Sequence, residues 1–135
     1  MATTRLYVQS GIAKAFSEAY ANALAGLPNG DPTADNTVVG PVADSIQVDT
    51  VGKYLETGKS EGRVLTGGNL VKGTKTVYEP TVFTDVAEDA VINKQEIFGP
   101  VSIIHTFESE EEAIKRANDT DCPFASTHLL QDIKH

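Results

Sequence analysis

Val101-Ser102-Ile103-Ile104-His105-Thr106-Phe107, followed at once by Glu108-Ser109-Glu110-Glu111-Glu112, decides the fold. The first seven residues are bulky and β-branched at Val101, Ile103 and Ile104, the make-up of a well-packed strand. Ser109 then offers a side-chain oxygen to a helix start, and Glu112 three residues on completes a capping box. The acidic triplet Glu110-Glu111-Glu112 sits in the first helical turn, where the helix dipole favours negative charge, so it calls for no catalytic explanation. Glu112 and Arg116 stand one i,i+4 step apart on the solvated side of that helix. A strand feeding straight into a helix is half of a strand-helix-strand unit.

The same alternation recurs toward the N-terminus. Arg5-Leu6-Tyr7-Val8-Gln9 is a short β-favouring run that ends at Ser10-Gly11, with Ser10 as a helix-cap candidate. Ile12, Phe16, Ala19, Tyr20, Ala23, Leu24 and Leu27 then recur at helical steps in an alanine-rich segment, which Pro28-Asn29-Gly30 ends. Residues 31–41 are polar and punctuated by Pro and Gly, as loops are. Asp44 is placed to cap a second helix with Ile46, Val51, Tyr54 and Leu55 as its stripe and Gly58 as its stop.

Arg63-Val64-Leu65-Thr66 reads as a strand, and Thr76-Val77-Tyr78 with Thr81-Val82-Phe83 as two short β runs around Glu79-Pro80. The proline places these at a sheet edge or in isolation, since it removes a ladder donor. Residues 125–130 read as a last strand. Strands alternating with helices mean an α/β chain with a parallel or mixed sheet and flanking helices.

Composition narrows the function classes. The 135 residues carry 19 acidic side chains against 11 Lys plus Arg, a net charge of −8, with no basic cluster to meet phosphates. Nucleic acid and anionic membrane surfaces are therefore excluded as partners. No apolar run has the length of a membrane span or a signal peptide. The expected compartment is the cytoplasm, with the mitochondrial matrix as the alternative. One cysteine, Cys122, makes no internal disulfide.

Three local patterns resemble chemical sites. Gly58-Lys59-Ser60 resembles the end of a phosphate loop, but the required glycine five residues earlier is Lys53, and Gly52 misses by one. His105, His128 and His135 share no ligand spacing with one another or with Cys122, so no metal site is expected. Cys122 beside Asp121 lacks the base or positive field that makes a nucleophile. Glu79 and Glu96 stand out because each interrupts apolar or β-like sequence.

Gln95-Glu96-Ile97-Phe98-Gly99-Pro100 carries more, since Glu-Ile-Phe-Gly-Pro is the signature of the NAD(P)-dependent aldehyde dehydrogenases. The chain resembles that family throughout: Gly40-Pro41, Tyr54-Leu55-Glu56-Thr57-Gly58-Lys59, Leu65-Thr66-Gly67-Gly68, Glu79-Pro80-Thr81-Val82-Phe83 and Glu112-Ala113-Ile114 through Asn118-Asp119 follow in family order. The resemblance implies that residues 1–135 form part of an aldehyde dehydrogenase catalytic domain. It also implies an oxidation of aldehyde to carboxylic acid through a cysteine thioester, with hydride passing to a nicotinamide cofactor.

By the same resemblance the cofactor-binding residues are Glu96, toward the nicotinamide ribose hydroxyls, Phe98, beside the nicotinamide, and Gln47, toward the adenosine ribose. Ala2, Thr4 and Arg5 fit the Cys-x-Ala-x-Ser/Thr-Arg block of the family, whose cysteine would stand immediately before Met1. No catalytic residue is therefore assigned in this chain. The general-base glutamate, the oxyanion asparagine and the glycine-bearing cofactor domain of the family have no counterpart here, and Cys122-Pro123-Phe124 replaces its aromatic-Gly-Leu segment.

The expectation is a segment inactive by itself, holding NAD or NADP, the aldehyde and a homo-oligomeric partner only in a full-length context. The alternatives are a short non-enzymatic interaction protein, or a decayed copy associating with a full-length aldehyde dehydrogenase.

Overall fold

β4, Val101–Phe107, is the strand on which the molecule is built. It pairs in parallel on one side with β1, Arg5–Gln9, in a register that sets Arg5 opposite Ile103 and Gln9 opposite Phe107. On the other side it pairs in parallel with β3, Thr81–Thr84, with Thr81 opposite Val101. β2, Arg63–Thr66, closes the far edge antiparallel to β3, so the sheet is mixed and ordered β1-β4-β3-β2. The fold comes from a computed structural model that describes residues 4–119.

Alternation along β4 feeds two cores. Val101 and Ile103 join Val51, Leu55, Phe83, Ile92 and Ile97 on one face of the sheet. Ile104 joins Val8 and Val82 on the other, against Ala13, Phe16, Tyr20 and Leu24. The first core is covered by helix α2, Ser45–Glu61, and the second by helix α1, Ser10–Ala25. A helix covers each face of the sheet, and β4, paired along both edges, is buried from Val101 to His105 with Ser102 and His105 inside among the apolar residues. Tyr20 and Ser102 bridge α1 to the sheet through their hydroxyls, 3.2 Å apart.

Several expectations need correction. Ser10 is the first helical residue of α1 rather than its cap; Gln9 occupies the cap position in extended backbone, and the Ser10 hydroxyl donates to Glu108 Oε2 at 2.7 Å. The face of α1 that meets the sheet is rotated toward Ala13, Phe16, Tyr20 and the buried Ala21, leaving Ile12, Ala19 and Ala23 exposed. Ile46 is exposed as well, because five residues of helix separate it from Val51 by roughly 140° around the axis.

Gly58 does not stop α2. The helix runs on to Glu61 and ends at Gly62, whose N–H reaches the Gly58 carbonyl at 2.9 Å. Gly58 is glycine for packing reasons: a Cβ there would lie 2.6 Å from Phe83 Cζ. Nor is β3 an edge strand. Pro80 lies just before it, so no ladder donor is lost, and Thr81 N–H reaches Pro100 O at 2.8 Å. The earlier β run amounts to a single bridge between Leu70 and Tyr78.

α3, Val91–Lys94, is a single turn, too short to show a helical period in the sequence. The last helix, α4, Glu110–Asn118, starts as expected, with Ser109 Oγ accepting from Glu112 N–H at 3.3 Å. The strand expected at 125–130, the Cys122-Pro123-Phe124 segment, His128 and His135 lie outside the described residues. Among the described residues no helix is long and apolar enough to cross a membrane.

Candidate functional site

The chain leaves β3, makes the single turn of α3, and returns to β4 through residues 95–100. Within this return, Gly99 N–H bonds to Ile97 O at 2.9 Å and Val101 N–H to Gly99 O at 2.8 Å. Two successive three-residue turns fold the backbone into a tight zigzag. Side chains therefore alternate: Glu96 and Phe98 face solvent, with Phe98 68% exposed, while Ile97 between them is buried in the larger core. Burying Ile97 anchors the loop while its two neighbours are presented outward.

Helix α2 holds the same loop from beside it. Gln47 Nε2 donates to the Phe98 carbonyl at 2.9 Å, and Tyr54 Oη donates to Gln95 Oε1 at 2.5 Å. Between them the wholly buried Val51 lies so close to Gly99 that a Cβ there would come within 2.8 Å of Val51 Cγ2. Residues 47, 51 and 54 follow at steps of four and three, so they form one stripe of the helix. Any larger residue at 99 would push the loop off that stripe. The first turn of α2 is itself fixed, since Asp44 Oδ1 accepts from Gln47 N–H at 2.8 Å.

The three residues expected to meet a cofactor are therefore brought to one place. Glu96 and Phe98 share a rim, and Gln47 supports the backbone between and beyond them. Gln47 does so in a way the sequence did not reveal: the donor half of its amide is committed to the loop, leaving Oε1 for any other contact. In sequence, Tyr54 and Val51 show only as part of a helix stripe; their work as loop supports is visible once α2 and residues 95–99 are juxtaposed.

Glu79, the other carboxylate singled out, accepts from Asn69 Nδ2 at 3.3 Å, next to the Leu70–Tyr78 bridge. Gly58-Lys59-Ser60 lies inside α2, where Lys59 Nζ pairs with Glu56 at 2.8 Å and Ser60 Oγ donates to Thr57 O at 2.7 Å. Helix-bound in this way, the segment cannot wrap a phosphate.

An exposed carboxylate beside an exposed aromatic ring, both on a backbone pinned at several points, suits a planar ring attached to a polyol. The carboxylate can accept two vicinal hydroxyls while the aromatic ring limits where the planar group can lie.

Comparison with known proteins gives the same direction. The model for the aldehyde dehydrogenase family matches residues 1–135. The chain is 38% identical over 130 residues to a glutarate-semialdehyde dehydrogenase of Pseudomonas putida, a match covering 96% of this chain and 27% of that one. It is 37% identical over 131 residues to a betaine aldehyde dehydrogenase of Cereibacter sphaeroides, with the same coverage. Among solved structures, an aldehyde dehydrogenase from Bacillus cereus in complex with NAD+ superposes with a TM-score of 0.83 at 36% identity, over 87% of this chain and 24% of that one. The lactaldehyde dehydrogenase of Escherichia coli gives a TM-score of 0.82 at 34% identity, over 87% of this chain and 25% of that one. The chain thus spans about a quarter of the length of the relatives it matches.

Proposed function

The chain belongs to the aldehyde dehydrogenase family, and from that premise we propose that it supplies the nicotinamide-side contact of an NAD(P)-dependent site that oxidises an aldehyde to a carboxylic acid. The cofactor, when bound, accepts the hydride. The work of this chain is to place it: Glu96 accepts the ribose hydroxyls, Phe98 restricts the nicotinamide, and Gln47 holds the Phe98 carbonyl while offering Oε1 toward the adenosine side.

The observation that carries this reading is the rim itself, with Glu96 and Phe98 presented on either side of the buried Ile97. A charge-assisted contact of the Glu96 kind contributes roughly 1.5–3 kcal/mol, against the approximately 8 kcal/mol of micromolar binding. The rim is accordingly one wall of a larger cofactor surface, and the segment alone holds neither NAD nor NADP. Aldehyde substrate, homo-oligomeric assembly and a cytoplasmic setting belong to the same reading.

The test uses the longest in-frame polypeptide that contains this segment. NAD+-dependent oxidation of a panel of aldehydes is expected from it, with Glu96→Gln raising the KM for NAD+ about tenfold, as loss of one charge-assisted contact implies. The 135-residue chain in the same assay is expected to be silent. An unchanged KM for NAD+ in the Glu96→Gln enzyme would remove Glu96 from the cofactor site.

A further inference from the structure

Between β4 and α3 lies a polar contact that the apolar core does not require. His105, 5% exposed, and Asn93, 6% exposed, face each other with His105 Nε2 2.9 Å from Asn93 Oδ1. Asn93 Nδ2 donates to Ala87 O at 2.6 Å, which fixes the amide so that its oxygen points at the imidazole. His105 Nε2 must therefore carry the hydrogen. The other ring nitrogen, Nδ1, faces Arg116 Nη2 at 3.4 Å, a donor, and so acts as the acceptor. Tyr7 stacks on the ring with centroids 5.4 Å apart.

The neutral, Nε2-protonated imidazole is the form these neighbours select. Burial, the Arg116 guanidinium and Arg5 beyond it all oppose a positive charge, and together they hold His105 down to about 4.

What this contact secures is α3. A single helical turn has little stability of its own, and its anchors are the buried Ile92 and the buried Asn93. Apolar burial fixes distance from the core but not rotation about the helix axis. A directional hydrogen bond to β4, an interior strand of the sheet, fixes both. Glu96 follows Asn93 by three residues, and α2 holds the residues on either side of it, through Tyr54 on Gln95 and Gln47 on Phe98. The Glu96 position is thus set from one side by Asn93, His105 and the Tyr54–Gln95 bond, and from the other by Ile97, Gly99 and Gln47.

We propose that the Asn93–His105 hydrogen bond is the positioning device for the Glu96 carboxylate, tying the register of the cofactor-facing rim to the central strand. His105 and Asn93 are positioning residues here and touch no cofactor; the functional meaning of the device rests on the reading of Glu96 given above.

The experiment measures amide hydrogen exchange in the full chain at residues 94–97 and, as internal controls, at Val82, Phe83 and Ile103. His105→Leu leaves a buried amide oxygen unpaired and can unfold the chain, so the double variant N93L/H105L, which removes both partners together, carries the test. It is expected to speed exchange at 94–97 about tenfold while the controls keep their rates. His105→Gln, which keeps a side-chain N–H near the Nε2 position, is expected to stay near the wild-type rate. Wild-type exchange at 94–97 in the double variant, or loosening by His105→Gln as large as that of the double variant, would overturn the proposal.

The KM for NAD+ of the same variants in the longer polypeptide separates the two readings. A rise in KM that follows the exchange rates, with kcat held, supports both. Faster exchange without a change in KM leaves the positioning intact and counts against the cofactor role of Glu96.

Discussion

Gln47 and Phe98, 51 residues apart in sequence, are joined by one hydrogen bond in which the Gln47 side-chain amide donates to the Phe98 carbonyl at 2.9 Å. The bond runs from the first turn of a capped helix to the exposed tip of a loop, so it transmits the rigidity of α2 to the residue that faces solvent. Replacing Gln47 by Leu keeps the stem and removes the donor. The expected cost is about 1 kcal/mol of stability, with faster amide exchange confined to residues 97–99. In the longer polypeptide the KM for NAD+ should rise several-fold. Unaltered exchange at 97–99 would mean that Val51 and Gly99 alone hold the loop.

Gly58 and Phe83 give a sharper case. Alanine in the interior of a helix is ordinarily preferred to glycine by about 1 kcal/mol, so Gly58→Ala would stabilise an isolated α2. Here the added methyl would sit 2.6 Å from Cζ of a ring that is 0% exposed and has nowhere to retreat. Overpacking of that kind costs roughly 1–3 kcal/mol, so Gly58→Ala is expected to be destabilising on balance in urea unfolding. Combining it with Phe83→Leu should recover part of the loss, because the shorter side chain vacates the contact. Additive losses in the double variant would show that the two residues do not meet.

These two contacts also mark where sequence reading stops. The strands at 5–9, 63–66 and 101–107, the Asp44 and Ser109 caps and the α/β class were all legible, because each rests on local propensity or a short-range pattern. Gly58 was read as a helix stop because local rules know glycine only as a breaker; its true reason is a ring 25 residues away. Pro80 suggested an edge strand by its chemistry alone, while its position one residue before β3 makes the strand central. For the candidate site, the Glu-Ile-Phe-Gly-Pro motif singles out Glu96 and Phe98, which the fold presents on one exposed rim. What supports them did not appear, since Tyr54, Val51, Asn93 and His105 act through contacts that no spacing encodes.

α4 offers a test of capping with little interference from packing. None of its residues is fully buried, so its stability depends heavily on its ends. Ser109 Oγ accepts from Glu112 N–H, and Glu112 Oε2 in turn accepts from Glu108 N–H at 2.9 Å. Glu112 also pairs with Arg116 at 3.0 Å, and Arg116 Nη1 donates to Thr106 O at 2.7 Å, tying the helix to β4. Ser109→Ala should cost about 1 kcal/mol and accelerate exchange along α4 while β3 amides remain protected. Uniform acceleration across both elements would mean that α4 and the sheet open as one unit.

His105 gives a prediction in pH. Its value in the folded chain is about 4, against an ordinary 6.5, because burial, Arg116 and Arg5 all disfavour the imidazolium. The groups around it are Tyr7 and Arg5 on β1, Asn93 on α3 and Arg116 on α4, the last paired with Glu88 at 2.8 Å and with Glu112. Between pH 6.5 and 4 the unfolded chain binds a proton at this residue that the folded chain does not, so stability rises with pH across that window. The contribution is fully present above about pH 6.5, is lost as pH falls, and levels off below about 4, where the folded chain protonates too. Its size is up to roughly 3 kcal/mol. The carboxylates whose values are lowered, the exposed Asp31, Glu111 and Asp119 and the half-buried Glu112, start from 3.8 to 4.5 and so act mostly below the window. Subtracting the unfolding free energies of His105→Gln from those of the parent, measured from pH 7 to 4, should therefore isolate a difference that shrinks steadily with acidification. Parallel curves would show that His105 accepts its proton in the folded chain as readily as in the unfolded one, and that the neutral imidazole is not the form the fold selects.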